Sequence, residues 1–377
     1  MVNPVTVFLS GMIRLKITGC TDTATHMKNS WLVPASEIGN FSTIIDVRTP
    51  LEFAEDHVPG AINCPVLSNE QRAQVGTIYK QVSPFEAKKI GGALIAANIA
   101  THIQQGMLDM PKDWRPLIYC WRGGMRSGAM QIILRQIGWQ AHKLEGGYKA
   151  FRQHVMEQTQ LLAPRLSLHI ICGATGSAKT RILQAIGARG GQILDLETLA
   201  SHKGSVLGSL PGQPQPSQKG FETAVWQALE QLDPARPVFV EAESRKVGNL
   251  HIPEPLIERM RASPCLDIEA TRAARVSFLL RDYDYACRNL PWLEQRLDKL
   301  RERQGRAVVD GWKALAAQSQ WDTLVGELLD LHYDPLYRAS QGGNYTGERP
   351  WPGFSTDDLS EAGIDALARQ ILERSAG

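Results

Sequence analysis

Apolar runs that end in glycine-rich loops, each followed by a helical pattern, recur along this chain of 377 residues. Residues 115–119 form one such run, and the helical pattern after it covers 127–137. Residues 168–172 form another, and the pattern after it covers 179–186. A short apolar run bounded by turn residues is typical of a buried strand. The order of strand, loop and helix therefore predicts an α/β fold in both parts of the chain.

The remaining pattern predicts mostly helices. Residues 68–113 indicate a helical insert in the first part of the chain, and residues 357–375 indicate a terminal amphipathic helix. From about residue 254 onward we expect helices that are rich in arginine. The Pro/Gln-rich residues 209–219 have no hydrophobic period and predict a loop. HYDPLYRAS (332–340) predicts an extended turn.

Composition indicates a soluble globular protein, because 43% of the residues are hydrophobic and 21% are charged. The length favours two or more domains. No apolar run is long enough to cross a membrane, and the apolar start lacks the basic segment and cleavage site of a signal peptide. The six cysteines are scattered without metal-ligand spacing, which suits a reducing compartment. We therefore expect a cytoplasmic protein.

The segment IYCWRGGMRSG (118–128) carries the first candidate site. A strand delivers Cys120 into a glycine-rich loop at the start of a helix, where backbone N–H groups and guanidinium groups favour a thiolate and can hold an anion. The alternative is a buried cysteine with a purely structural role, but the two arginines and two glycines of the loop favour a reactive thiolate. The candidate residues are Cys120 as the catalytic group and Arg122, Gly123, Gly124, Met125 and Arg126 as the anion-binding loop around its sulfur.

The segment HIICGATGSAKTRIL (169–183) carries the second candidate site, which has the spacing of a P-loop. Its phosphate-binding candidates are Gly173, Ala174, Thr175, Gly176, Ser177, Ala178, Lys179 and Thr180. Backbone N–H groups would surround phosphate oxygens, Lys179 would add a positive charge, and Thr180 could hold Mg²⁺. Ala178 departs from the pattern, since glycine usually precedes the lysine. This departure argues against ordinary nucleotide hydrolysis more than against phosphate binding.

Acidic residues follow in two places. Glu241 and Glu243 end a second apolar run, and acids at such a strand end can hold a metal directly or through water. Asp195 and Glu197 belong to the segment DLETLASHKGSVLG (195–208), which by itself predicts a solvated loop. We take Asp195, Glu241 and Glu243 as candidate acidic partners of the P-loop. The sequence assigns no metal ligand with certainty.

Two family resemblances emerge from these segments. IIDVRTPLEFAEDHVPGAIN (44–63), followed by the cysteine loop and LEGGYKAFR (144–152), resembles a rhodanese domain. A rhodanese domain followed by a P-loop domain resembles the tRNA 2-selenouridine synthase family. Further matching segments are AQVGTIYKQ (73–81), QPSQKGFE (215–222), VEAESRKVG (240–248) and HYDPLY (332–337). The implied division is an N-terminal extension (1–30), a rhodanese domain (31–155) with its helical insert, a P-loop domain (165–300) and a mainly helical C-terminal region (301–377).

The resemblance implies a chemistry for both loops. The family is understood to convert the wobble 2-thiouridine of tRNA to 2-selenouridine through an S-geranyl intermediate, with geranyl diphosphate and selenophosphate as substrates. Cys120 would carry or help to generate the selenium species, and the P-loop would hold a diphosphate. No tightly bound cofactor is expected apart from Mg²⁺ at the P-loop. tRNA is the implied partner, and the enzyme that produces selenophosphate is a candidate second partner.

Two other functions fit the motifs. One is a rhodanese-type sulfurtransferase with an accessory nucleotide-binding domain, and the other is a phosphate-binding protein that uses its rhodanese domain for docking. The net charge of +2 excludes a chain that is basic throughout, so any tRNA surface must be local. Residues 259–306 contain eleven Arg or Lys and seven Asp or Glu. We expect this segment, through Arg272, Arg275 and Arg281, to contact tRNA.

Overall fold

The computed structural model of the protein describes residues 31–205, 207–344 and 353–375. The N-terminal extension expected at residues 1–30 lies outside the described residues. Two five-stranded parallel sheets organise the described chain, and helices cover both. The expected α/β fold class, with a helical C-terminal region, is confirmed.

The first sheet has the strand order β1-β5-β4-β2-β3, with every pair parallel. Its strands are β1 (Leu32–Val33), β2 (Thr43–Asp46), β3 (Ile62–Asn63), β4 (Pro116–Tyr119) and β5 (His142–Leu144). The helices of this half are α1 (Pro50–Glu55), α2 (Asn69–Gln81), α3 (Pro84–Gly106), α4 (Met125–Ile137) and α5 (Gly147–Leu162). Central strand β4 is buried at all four positions, which explains its unbroken apolar sequence.

Local signals set the helix starts in the segment 68–113. Ser68 and Gln71 form a reciprocal capping box at the start of α2. Ser83 accepts hydrogen bonds from two backbone amides at the start of α3, and Pro84 occupies its first position. The two helices pack on each other, and Gly91 lets the Val75 side chain approach closely. The segment is therefore a helical hairpin.

The second sheet has the order β12-β11-β6-β8-β7, again with every pair parallel. Its strands are β6 (Ser167–Gly173), β7 (Gln192–Leu194), β8 (Pro237–Glu241), β11 (Cys265–Ala270) and β12 (Phe354–Thr356). A small antiparallel hairpin, formed by β9 (Lys246–Val247) and β10 (Leu250–His251), lies between β8 and β11 in the sequence. The helices of the second sheet are α6 (Lys179–Ala188), α7 (Leu196–Leu199), α8 (Gln218–Glu230), α9 (Glu254–Arg261) and α10 (Arg272–Asp282).

A helical unit is inserted between α10 and β12. Its helices are α11 (Asp284–Cys287), α12 (Leu290–Asp298), α13 (Arg301–Gln304), α14 (Arg306–Ala317), α15 (Trp321–Leu328), a π-helical turn (Leu329–Tyr333) and α16 (Asp334–Asn344). They enclose a core of their own around Trp312 and Leu297. The chain then returns to the second sheet through β12, and the final helix α17 (Glu361–Ser375) packs on α6.

Two sequence predictions for the C-terminal half are wrong. The chain is not continuously helical from residue 254, because β11 pairs with β6 in the middle of the second sheet. The acids Asp267 and Glu269 interrupt its short apolar run and conceal the strand signal. Residues 332–340 form a π-helical turn and the start of α16 rather than an extended turn. Pro335 occupies the first turn of α16, where its missing N–H is no loss.

The two halves meet through α5 and α8, which pack along each other. Trp226 of α8 contacts Phe151 of α5 edge-on. Beside them, Arg152 donates to the Thr223 hydroxyl at 2.8 Å and is paired with the Glu222 carboxylate. Asp56 accepts from both Thr223 and the Tyr148 hydroxyl. A buried polar network therefore joins the first half to the second.

Candidate functional site

Cys120 lies directly after β4, at the carboxyl edge of the first sheet. The residue is 3% exposed, and the Ser127 hydroxyl donates to its Sγ at 3.2 Å. Helix α4 begins at Met125, two residues earlier than predicted, so Ser127 is in its first turn. The sulfur thus faces a helix N-terminus, an environment that stabilises negative charge on or beside it.

The Gly146–Gly147 turn packs directly against the backbone of the cysteine loop. Gly147 has φ +63°, and a Cβ there would lie 2.3 Å from the Cys120 carbonyl oxygen and 2.4 Å from the Gly123 nitrogen. The next amide, of Tyr148, donates to the Cys120 carbonyl at 2.8 Å. Only glycine permits this approach of two backbone segments. The segment LEGGYK therefore fixes the curvature of the loop that carries the sulfur.

The two arginines of the loop have different surroundings. Arg126 forms an ion pair with Glu52 of α1 at 2.8 Å. Although burial pulls the other way, the hydrogen bond and charge of Arg126 hold the pKa of Glu52 below its usual range. Arg122 is exposed and forms no ion pair within the described part of the chain. Of the two predicted charges, Arg122 is therefore the one left for an incoming anion.

The other predicted residues of the cysteine loop are Gly123, Gly124 and Met125, which lead into helix α4. Gly123 has φ +64°, and Gly124 precedes the first residue of α4. Met125 is 69% exposed. The backbone of all three residues borders the helix N-terminus.

Asp46 and Arg48 form the buried frame of the same edge. Their side chains are fully buried and paired at 2.6 Å, and Arg48 also donates to the Asp56 carbonyl. The Arg48 guanidinium lies over the Tyr148 ring, 3.8 Å from its centroid. Unlike Cys120, this pair is enclosed on every side, so its role is structural.

The P-loop connects β6 to α6 at the carboxyl edge of the second sheet. Its segment Gly173–Thr180 comprises all the predicted phosphate-binding residues. Gly176 has φ +84°, and a Cβ there would lie 2.9 Å from the Leu279 side chain of α10. Lys179 Nζ donates to the Gly173 carbonyl at 3.0 Å, which folds the lysine back over the loop. This is the geometry in which backbone amides and one cation surround a phosphate.

Ala178 occupies a left-handed backbone conformation, with φ +59° and ψ +26°. This conformation is unfavourable for a residue with a Cβ, which explains why glycine is usual before the lysine. The methyl group is 4% exposed and packs in the core beneath the loop with Ile182. The substitution therefore adds strain and core packing together, at a residue that also lines the cleft at the P-loop.

Three carboxylates converge beside the P-loop. One oxygen from each of Glu197, Glu241 and Glu243 lies within 4.8 Å of the others. The Thr180 hydroxyl donates to Glu197 at 2.9 Å. Glu241 is 4% exposed, and its Oε1 has no hydrogen-bond partner within the part of the chain that the structure describes. A buried carboxylate oxygen without a partner is costly, so this donor set fits a hard divalent cation such as Mg²⁺.

The pKa values of the cluster are all raised. Burial, with the neighbouring Asp195 charge, raises the pKa of Glu197 to about 7. Burial and the charge of Glu197 raise the pKa of Glu243 to about 8 and that of Glu241 well above its usual range. Three such groups cannot all ionise near neutral pH without a compensating cation.

The structure brings two of the three predicted acidic residues into this cluster. Glu241 and Glu243 are in the cluster, whereas Asp195 lies beside it and caps α7 by accepting from the Thr198 amide at 2.8 Å. The third member is Glu197, which the sequence placed on a solvated loop. The residue in the sequence that points to a crowded site around Glu197 is Gly204, since a Cβ there would lie 2.4 Å from Glu197 Oε1. The chain needs glycine at this point to pass over the cluster.

Comparison with known proteins agrees with this geometry. The sequence-family model for the rhodanese-like domain matches residues 29–154. The family model for the tRNA 2-selenouridine synthase AAA domain matches residues 166–289. The chain is 31% identical to the tRNA 2-selenouridine synthase of Alcanivorax borkumensis over 335 residues, which cover 79% of this chain and 89% of that protein. The chain belongs to the tRNA 2-selenouridine synthase family.

Two more relatives bear the same name. The Cupriavidus pinatubonensis protein is 37% identical over 78% of this chain and 87% of its own length. The Nitrosomonas europaea protein is 37% identical over 64% of this chain, and that match spans 63% of the relative. Membership of this enzyme family thus rests on both halves of the chain.

The arginines that we expected to contact tRNA have structural roles in this family member. Arg275 is 6% exposed, donates to the Thr175 carbonyl of the P-loop at 2.8 Å and is paired with Asp334. Arg272 is paired with Asp330, and Arg281 donates to the Leu359 carbonyl. All three guanidinium groups hold α10 against its neighbours, but the Arg272 side chain is still 55% exposed, so a tRNA contact through this segment stays a prediction.

None of the helices in the described part of the chain has the length and apolar character needed to cross a membrane.

Proposed function

We propose that this protein converts the wobble 2-thiouridine of tRNA to 2-selenouridine through an S-geranyl intermediate, using geranyl diphosphate and selenophosphate. The observation that carries the proposal is the presence, in one chain of this family, of a cysteine at a helix N-terminus and a P-loop beside three carboxylates. The first loop suits a chalcogen nucleophile, and the second suits a diphosphate leaving group. Each of the two steps then has a site.

The P-loop would serve the alkylation step. Its backbone amides and Lys179 hold the diphosphate of the geranyl donor, so that the C–O bond to the geranyl carbon can break as the thiouridine sulfur attacks. Thr180 with Glu197, Glu241 and Glu243 would hold Mg²⁺. When bound, this ion neutralises charge that develops on the departing diphosphate. Alkylation converts the sulfur into a good leaving group.

The cysteine loop would serve the selenation step. Cys120 helps to generate the selenium nucleophile from selenophosphate, whose P–Se bond is hydrolysed so that selenide and phosphate form without a change of oxidation state. The amides of Gly123, Gly124 and Met125 with Arg122 hold the anion. The nucleophile attacks C2 of the modified uridine, and the geranylated sulfur leaves. Ser127, which donates to the Cys120 sulfur at 3.2 Å, stabilises the anionic form of the loop.

The test is a reconstitution with purified protein and tRNA that contains 2-thiouridine, followed by nucleoside analysis. Geranyl diphosphate alone should yield S-geranyl-2-thiouridine, and the later addition of selenophosphate should yield 2-selenouridine. Transfer of sulfur to a small acceptor, with the tRNA unchanged under every condition, would instead establish a sulfurtransferase. Nucleosides from a strain that lacks the protein should be devoid of both modifications.

A further inference from the structure

An apolar pocket adjoins the P-loop on the side of the helical unit. Sixteen residues line it, of which nine are aliphatic and none is charged. They come mainly from α10, α12 and α15, with Leu280, Leu293 and Val325 as examples. An uncharged pocket of this composition takes hydrocarbon rather than a polar group.

This pocket adjoins the phosphate-binding cleft. Thr175, Ser205, Leu279, Tyr283 and Tyr333 line both spaces. Burial raises the pKa of Tyr333 to about 12, so that its phenol is neutral at physiological pH. The residues shared by the two spaces therefore carry no charge, and the two spaces are close enough to receive the two ends of one ligand.

The two spaces differ in charge in a way that specifies one kind of ligand. The cleft contains Lys179 and the three carboxylates, whereas the residues that line only the pocket offer few hydrogen-bonding groups, such as the Trp321 indole N–H. A nucleotide base would bury its polar edge there without partners, at a cost in free energy. A diphosphate with a hydrocarbon tail satisfies both spaces.

We infer that the pocket between α10, α12 and α15 binds the isoprenoid chain of a prenyl diphosphate whose diphosphate lies in the P-loop. This inference rests on the proposed function and adds the residues that recognise the chain and limit its length. Calorimetry on the full-length protein with Mg²⁺ tests its first part. The wild type should bind geranyl diphosphate at least about tenfold more tightly than inorganic diphosphate, because only the former fills the pocket.

A filling substitution tests the location. Val325→Phe should weaken geranyl diphosphate binding about tenfold, leave inorganic diphosphate binding unchanged and favour the shorter dimethylallyl diphosphate. The matched control is Val308→Phe, which changes another half-buried valine of the helical unit that does not line the pocket. Unchanged geranyl diphosphate affinity in a folded Val325→Phe protein would place the chain elsewhere.

Cys287 provides a measurement on the unaltered protein. It lines the pocket and is partly exposed, whereas Cys64, Cys120, Cys172 and Cys265 are buried. Geranyl diphosphate should slow alkylation of Cys287 by a thiol reagent, measured by peptide mass spectrometry, and inorganic diphosphate should not. Equal rates with both ligands would overturn the inference. A wild type that binds ATP but neither diphosphate would instead refute the proposed function itself, so the two failures are distinguishable.

Discussion

In both halves of the chain a buried parallel strand ends in a glycine-rich loop, and a helix begins at the far end of that loop. The cysteine loop follows β4 and precedes α4, and the P-loop follows β6 and precedes α6. Both present backbone amides to an anion at the carboxyl edge of a sheet. They differ in what surrounds those amides. The first loop has a sulfur and one free arginine, and the second has a lysine and three carboxylates.

The two sites also differ in how far the charges of their side chains are neutralised by other side chains. Around Cys120 two pairs of ionised groups are compensated within the protein, since Arg126 pairs with Glu52 and Arg48 pairs with Asp46, and Arg122 is left for an anion. Around the P-loop the buried Glu241 carboxylate has an oxygen without a hydrogen-bond partner among the described residues. The first site can therefore take an anion, while the second needs a cation as well as an anionic ligand.

The largest expected effect comes from replacing the sulfur of Cys120, which should stop the reaction at one site and not at the other. Cys120→Ser should abolish selenation, because the hydroxyl cannot replace the thiolate that helps to generate the selenium nucleophile, while S-geranylation at the other loop continues. Nucleoside analysis after reconstitution measures both products. Cys64→Ser is the control, since Cys64 is another buried cysteine of the same core and should be dispensable. Full selenation by the Cys120→Ser protein would remove the cysteine from the mechanism.

The backbone of the cysteine loop gives the next effect. Gly147→Ala should lower the stability by roughly 2–4 kcal/mol, because its Cβ would overlap the Cys120 carbonyl and the Gly123 nitrogen. Chemical denaturation measures the change. Gly128→Ala in α4, where a Cβ meets nothing within 4 Å, should be neutral or slightly stabilising. A stable Gly147→Ala protein with full selenation would show that the loop does not depend on this turn.

How far the sequence predicts these loops depends on how local their signals are. Cys120 and the P-loop were predictable, because each follows a buried strand within a few residues. Glu197 was not, since its contact with Glu241 and Glu243 joins segments more than 40 residues apart in sequence and depends on the pairing of β7 with β8. Strand β11 escaped prediction for a similar reason, because its place between β6 and β12 overrides a weak local pattern.

On the P-loop side, Lys179→Ala should weaken geranyl diphosphate binding by roughly one to two orders of magnitude, because charged hydrogen bonds contribute about 1.5–3 kcal/mol. Calorimetry measures the loss. Lys246→Ala, at an exposed lysine of the same half, is the control and should bind normally. If ATP binding is lost and geranyl diphosphate binding is kept, the loop serves a nucleotide.

The raised pKa values of the cluster predict a dependence on pH and Mg²⁺. Because the folded-state pKa values lie above the usual value of 4.5, near 7 for Glu197 and 8 for Glu243, protonation stabilises the metal-free fold. Its stability should therefore fall as the pH rises through this range. Mg²⁺ requires ionised carboxylates, so its stabilising effect should grow over the same range.

Thermal unfolding at about pH 6 and about pH 8.5, with and without Mg²⁺, measures both trends. Glu241→Gln should weaken Mg²⁺ binding by roughly one order of magnitude and reduce its effect on the melting temperature at the higher pH. Glu230→Gln, at an exposed glutamate of α8, should behave as the wild type. A response to Mg²⁺ that is equal at the two pH values would contradict the proposed ligands.

The smallest effect concerns the residue that makes the P-loop unusual. Ala178→Gly relieves a left-handed conformation, worth about 1–2 kcal/mol, but it also removes a buried methyl group worth about 0.8 kcal/mol and makes the unfolded chain more flexible. These contributions nearly cancel, so the stability should change by less than about 1 kcal/mol. Geranyl diphosphate affinity should not fall, since loss of the methyl group from a residue that also lines the cleft widens that space rather than narrowing it. Ala178→Val should be clearly destabilising at the same φ, because a β-branched side chain tolerates this conformation least. A marked gain of ATP binding in Ala178→Gly would show instead that the alanine selects against nucleotides, and the P-loop would then differ from the cysteine loop in specificity as well as in charge.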